Sequence, residues 1–290
     1  MIDDLLNHGR TAGLNPGEGM AQVTQPSDPT NHVLTVDRHG PVLNLTLNRP
    51  DQRNALARVL IGALTDSISE IDVADGVRVI VLTGAGSVFC AGGDISEYAQ
   101  MDNLAQATKD ASALSTLLTR MRSCPVPIIA AIHGAAYGGG IGLVCAADVA
   151  IAAATSKFSL SETRLGLVPA VIGPYVVQAI GQRAAQAKTL LAAPFDSHEA
   201  LRIGLIHQVV DDDQLGSTVW STVDEVLMSP PAALASAKRM IDSVANKSID
   251  DVRQTMVDLI VERRGSEEGQ EGMAAFLQRR RPSWVPVNNE

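Results

Sequence analysis

The feature that most constrains this fold is a run of three glycines, Gly138, Gly139 and Gly140, inside IHGAAYGGGIG at residues 132–142. A proline-bounded apolar run, PVPIIAAI at 125–132, precedes it, and residues 141–147 read as a helix start. Removing three consecutive side chains lets backbone approach another group closely or adopt positive φ. A strand, a bare turn and a helix start also aim free N–H groups outward. Such groups hold an anion, or the charge that builds on a carbonyl oxygen during reaction. Close packing of a helix on a sheet would use the same glycines, so this stretch alone leaves both readings open.

The surrounding chain alternates strand and helix. Residues 32–36 and 42–47 flank Arg38, His39, Gly40 and Pro41 in the manner of a β-hairpin. Helical periodicity runs over 57–73, with Leu60, Leu64, Ile68 and Ile71 on one face. VRVIVL at 77–82 reads as a strand buried on both faces. FCAGGDI at 89–95 then supplies a second bare turn, at Gly92 and Gly93. A helix over 107–121 presents Leu114, Leu117, Leu118 and Met121, and strands follow at 128–132 and 148–153. This alternation predicts an α/β architecture. Beyond Val210 the pattern is helical, with helices expected over 215–227, 231–244, 249–263 and 268–278. The chain therefore divides into a poorly ordered leader at 1–31, rich in Gly, Pro, Thr, Ser and Gln, a core at 32–210 and a helical part at 211–290.

Composition removes several function classes. The net charge of −9, from 23 basic and 32 acidic residues, argues against a nucleic-acid-wrapping surface. The three cysteines lack CxxC spacing and read as reduced thiols of a cytoplasmic protein. No apolar run reaches membrane-spanning length, and the N-terminus lacks a signal-peptide core. There is no GxxxxGK[ST], HExxH or GxSxG, and Leu143 stands where GxGxxG would need its last glycine. The six histidines show no metal-ligand spacing, so no metal is expected, and His133 reads as a core or turn histidine. The remaining acid is Glu162, in FSLSETRLGLVPA at 158–170. A carboxyl group in such a semi-apolar segment can have its pKa raised and act as a general acid or base. A salt bridge to Arg164 or a helix cap would be its structural alternative.

Together these segments resemble the enoyl-CoA hydratase/isomerase (crotonase) family. The matching strings are NRPDQRNAL (48–56), FCAGGDI (89–95), IHGAAYGGGIGL (132–143), FSLSETRLGLVPA (158–170), GLIHQVV (204–210), PPAALASAKRMI (230–241) and EGMAAFLQRR (271–280). The resemblance covers about residues 33–281. It implies a ClpP-like spiral of ββα units with a helical C-terminal trimerisation part, assembled as a homotrimer or homohexamer. It implies lipid metabolism and an acyl-CoA thioester as substrate, with no separate cofactor, since coenzyme A arrives as part of that substrate. The N–H groups of Gly93 and Gly139 would form an oxyanion hole, and Glu162 would exchange the proton. Main chain around Arg53, Asn54, Ala55 and Leu56, and the turn Gly93, Asp94, Ile95 and Ser96, would meet the CoA moiety. Phe276 and Arg279 would approach it from a neighbouring subunit.

Two departures stand out. Ser96 occupies a place where the family commonly carries a basic residue. Gly142 occupies the place of a second glutamate in two-glutamate hydratases. GGGIGLV followed by SLSETRLGLVPAVIGPYVVQAIG looks like the bacterial methylglutaconyl-CoA and isohexenylglutaconyl-CoA hydratase branch. The expected activity is hydration of a 2,3-unsaturated, branched or unbranched acyl-CoA. The alternatives are a single-glutamate Δ3,Δ2-enoyl-CoA isomerase and a non-catalytic CoA- or RNA-binding homologue. Residues 98–118 and 171–175 are expected to shape the acyl pocket.

Overall fold

The computed structural model describes residues 32–99 and 104–285, so the leader expected at 1–31 lies outside the described residues. The strands are β1 (Leu34–His39), β2 (Val42–Leu47), β3 (Val79–Gly84), β4 (Ile128–Ile132), β5 (Ala135–Tyr137), β6 (Val149–Ala153), β7 (Lys157–Ser159), β8 (Phe195–Asp196) and β9 (Gln208–Val210). A six-stranded sheet has the order β1-β2-β3-β4-β6-β9, and a three-stranded sheet the order β5-β7-β8. The β1–β2 hairpin is antiparallel, and every other pair in the larger sheet is parallel.

Strand alternation sends neighbouring side chains to opposite faces, and here both faces are covered. Leu45, Leu47, Ile80, Leu82, Ile128 and Ile132 join one core with Leu60 and Leu64 of α1 (Arg58–Ser69). Leu117, Leu118 and Met121 of a 20-residue helix, Leu104–Ser123, complete that side. Val42, Val79, Val81, Ile129, Ala131 and Ile151 face the other way and pack on Leu215, Val219, Val223 and Leu227 of the helix Leu215–Leu227. This two-sided burial is why VRVIVL is continuously apolar except for Arg78. That arginine stands just before β3, and its guanidinium donates to the carbonyls of Trp284 (2.6 Å), Leu227 (2.6 Å) and Ser229 (2.8 Å). It ties the C-terminal segment to the sheet.

In chain order the helices are α1, α2 (Ile95–Ala99), α3 (Leu104–Ser123), α4 (Gly139–Ala146), α5 (Gly173–Leu191), α6 (Ser197–Arg202), α7 (Leu215–Leu227), α8 (Pro231–Val244), α9 (Ile249–Gly265) and α10 (Glu267–Gln278). The last four follow the sequence expectation closely. Ser248 and Ser266 cap the final two, accepting from the N–H groups of Asp251 and Gly269. The first helix ends earlier than its apolar periodicity suggests. Asp72 accepts from Ala74 N and its own N–H is taken by Asp75, and this capping box starts a separate 3-10 turn. The small sheet was not visible in the sequence, because strands of two or three residues are too short to show alternation. That small sheet nevertheless positions the site.

Candidate active site

The site is assembled where three short stretches meet. β5 pairs with β7 in parallel, Tyr137 opposite Ser159, which sets the glycine turn beside the segment carrying Glu162. On its other side β5 bridges to Cys90: Cys90 N donates to Ala135 O and Tyr137 N to Cys90 O, both 3.0 Å. Leu56 in turn bridges to Gly93, through Leu56 N to Gly92 O (2.7 Å) and Asp94 N to Leu56 O (3.4 Å). In a parallel bridge of this kind the N–H of Gly93 itself points away from Leu56.

The two turns come into contact there. A Cβ on Gly139 would lie 2.9 Å from Leu56 Cδ1 and 3.7 Å from Gly93 N. Gly93 N and Gly139 N have no backbone acceptor among the described residues. Gly139 opens α4, where first-turn N–H groups have no partner within the helix. Gly138 adopts φ 47° and ψ −118°, a conformation that suits glycine, and its N–H donates to Ser159 O at 2.9 Å. Two unpartnered peptide N–H groups thus lie side by side on turns without side chains. Such a pair can stabilise a developing oxyanion.

Glu162 reaches the same spot. It starts a 3-10 turn, Glu162–Leu165, and a Cβ on Gly138 would lie 3.0 Å from its Oε1. Its Oε2 is buried without a hydrogen-bond partner among the described residues. Burial pushes the Glu162 carboxyl above the usual carboxylate range, against a smaller opposing effect of its own backbone N–H. No ion pair with Arg164 is present among the described residues, so the structural alternative of a salt bridge is not realised.

The other expected site residues divide into scaffold and surface. Asn54 is fully buried: its Oδ1 accepts from Arg49 N, and its Nδ2 donates to Ala85 O and Val88 O. Arg53 and Asn54 both hold positive φ, 51° and 55°, in the turn leading to Ala55 and Leu56. Asp94 accepts from Ser96 Oγ (2.5 Å), Ser96 N (3.1 Å) and Arg49 Nη1 (2.9 Å). The bonds from Ser96, then Arg49, hold its carboxyl below the usual range despite burial. The Asp94 and Ser96 side chains therefore lock the turn, leaving main chain to face a ligand. Ile95 is exposed at the start of α2. Phe276, 83 % exposed, and Arg279, the C-cap of α10, are on the C-terminal helical part, and no contact of theirs with Gly93, Gly139 or Glu162 is present among the described residues.

His133 is buried, with Nε2 3.2 Å from Gly86 O, and desolvation holds its pKa down, as suits a turn histidine. Cys90, Cys124 and Cys145 are free and buried, and burial pushes the thiols of Cys90 and Cys145 up to about 12. They are not thiolate nucleophiles. No helix among the described residues is long and apolar enough to cross a membrane.

Two residues from the stretches expected to shape an acyl pocket, 98–118 and 171–175, lie on glycines of the site. The Tyr98 ring lies over Gly93, and Ile172 presses against Gly142. A Cβ on Gly142 would meet Ile172 Cγ2 at 2.5 Å and Leu118 Cδ1 at 3.5 Å. The position without a glutamate is thus filled by hydrocarbon. Only the aromatic residue four positions after Asp94, and an isoleucine in the otherwise small-residue string PAVIG, hinted at either contact.

Comparison with known proteins gives the family and the fold. The family model described as "Enoyl-CoA hydratase/isomerase" matches residues 37–286, and the chain belongs to that family and has the crotonase fold. It is 33% identical over 263 residues to the probable enoyl-CoA hydratase echA8 of Mycobacterium tuberculosis, covering 88% of this chain and 99% of that one. It is 30% identical to the 1,2-epoxyphenylacetyl-CoA isomerase of Escherichia coli, over 84% of this chain and 95% of the relative. Among solved structures, Pseudomonas aeruginosa AtuE superposes with a TM-score of 0.85 at 36% identity, covering 88% of this chain and all of the other.

Proposed function

We propose that this chain is an enoyl-CoA hydratase, adding water across the 2,3 double bond of an acyl-CoA thioester. The observation that carries the reading is the meeting of the Gly93 and Gly139 N–H groups with the buried carboxyl of Glu162. The two amides hold the thioester oxygen as it gains negative charge. The ionised Glu162 takes a proton from water as the water oxygen bonds the β-carbon. The π pair shifts toward the α-carbon and the thioester, giving an enolate. The α-carbon then takes the proton from Glu162, which returns to its ionised form. Main chain at Arg53–Leu56 and the turn from Gly93 to Ser96 receive the CoA moiety, with Phe276 and Arg279 contributed by a neighbouring copy in a trimer or hexamer. The relatives' printed activities, hydratase and CoA-ester isomerase, fit enolate chemistry at a common site.

The test follows the loss of enoyl-thioester absorbance across crotonyl-, longer straight-chain, methylcrotonyl- and methylglutaconyl-CoA. Glu162→Gln is expected to lower turnover about 10²–10⁴-fold. Undiminished turnover in that variant removes Glu162 from the mechanism. A second reading, double-bond isomerisation by one glutamate, is favoured by the hydrocarbon packed at Gly142, which leaves no carboxylate there to hold water. Labelled water separates the two: heavy oxygen on the β-carbon means hydration, and its absence with a moved double bond means isomerisation.

A further inference from the structure

Adding water requires holding an oxygen over the β-carbon, and a single carboxyl must do this while also taking a proton. A second protic side chain from α4 is ruled out by Gly142 and the Ile172 and Leu118 groups packed on it. The structure offers a different one. Asp94, fixed by Arg49 and Ser96, starts α2, and Tyr98 N donates to Asp94 O at 3.1 Å. This tight turn folds the Tyr98 ring back over Gly93. A Cβ on Gly93 would lie 2.5 Å from Tyr98 Oη, 2.6 Å from Cε2 and 2.7 Å from Cζ. The phenol takes the space that a side chain at 93 would need, next to one of the two unpartnered N–H groups. Its hydroxyl has no hydrogen-bond partner among the described residues, and the residue is 37% exposed, so it is open to a ligand.

We propose that the Tyr98 hydroxyl is a second catalytic group of this site, donating a hydrogen bond to the water that Glu162 deprotonates and then to the new β-hydroxyl. This rests on the hydratase reading above. Tyr98 keeps its own proton throughout, so the balance of the reaction is unchanged: water's oxygen goes to the β-carbon, and its proton passes through Glu162 to the α-carbon. Burial, and then the negative charges of Asp110, Glu97, Glu162 and Asp94, keep the phenol protonated and a donor. A side chain at residue 93 would have to displace the ring from this place.

Two readouts on Tyr98→Phe and the wild type test this. One is hydration of crotonyl-CoA. The other is exchange of the α-protons of butyryl-CoA in heavy water, read by mass spectrometry, which needs the two amides and Glu162 but no attacking water. The expected result is a fall in hydration kcat of about tenfold to a hundredfold, the effect of one hydrogen bond to a reacting oxygen, with α-proton exchange unchanged. Hydration at the wild-type rate overturns the proposal. A parallel fall in both activities also overturns it, because that is the mark of a ring that merely packs over Gly93. A wild type that exchanges α-protons and hydrates no substrate of the panel overturns the hydratase reading and this proposal with it, an outcome distinct from the other two.

Discussion

Helix α4 carries three glycines, and two of them, Gly139 and Gly142, stand about one turn apart in different surroundings. At Gly139 the bare position leaves an N–H unpartnered beside Gly93 N, with only Leu56 Cδ1 crowding the site. At Gly142 the bare position is occupied by the chain's own Ile172 and Leu118. Both positions are closed by the chain's own hydrocarbon, and the difference lies in the main chain: the N–H of Gly139 has no acceptor among the described residues, while that of Gly142 donates to Gly138 O. The same residue type on one short helix thus leaves a free donor at one end and a satisfied, packed turn in the middle. Only the neighbours distinguish them.

The largest expected effect breaks the first half of this contrast. Gly139→Ala forces a methyl against Leu56 Cδ1 and tilts the amide, and kcat/KM for the preferred enoyl-CoA should fall about 10²–10³-fold. Gly142→Ala should instead act on stability. Overpacking against Ile172 Cγ2 should cost about 1–3 kcal/mol in denaturant unfolding. Ile172→Ala in the same chain should return much of that loss, while two independent, additive losses would refute the contact. Glu162 sharpens the contrast through pH. Burial raises its pKa, so the folded chain keeps this proton at pH values where the unfolded chain has lost it. The stability this confers is present below the usual carboxylate range and is lost as pH rises through the folded pKa. Glu162→Gln should therefore melt above the wild type at neutral pH, with the gap closing in acid, and the acid limb of wild-type kcat/KM should lie above the usual carboxylate range. The smallest effect is a control. Gly62, inside α1, has nothing near a would-be Cβ, and Gly62→Ala should stabilise by about 0.5–1 kcal/mol without touching activity.

Much of the frame was legible in the residues. The continuous apolar runs at β3 and β4 announce strands covered on both sides, and the spacing of Leu215, Val219, Val223 and Leu227 announces the helix that covers one of them. The glycine turns and Glu162 were legible as parts, and family resemblance joined them. What the sequence withheld was the joinery: the Leu56–Gly93 and Cys90–Ala136 bridges and the three-residue pairing of β5 with β7. These contacts connect segments up to 46 residues apart through main chain alone, and side-chain patterns carry no record of such bonds. Tyr98 and Ile172 fell within the stretches expected to shape an acyl pocket, but the glycines they cover were hidden for a related reason. Each matters through the glycine it covers, and a glycine does not say what lies above it.

The meeting of the two glycine turns has a consequence for how the molecule tolerates change. The two unpartnered amides of Gly93 and Gly139 belong to the polymer rather than to any side group, so only a change to proline deletes one of them; any other substitution can only misplace it. Mutational scans of the turns will therefore report geometry at every residue but proline, which alone removes the group itself. Replacing the Gly139 amide with an ester by semisynthesis would remove one hydrogen and leave the outline intact. Leu56, Tyr98 and Glu162 around the two amides are, by contrast, ordinary side chains that can be rewritten while both amides stay in place.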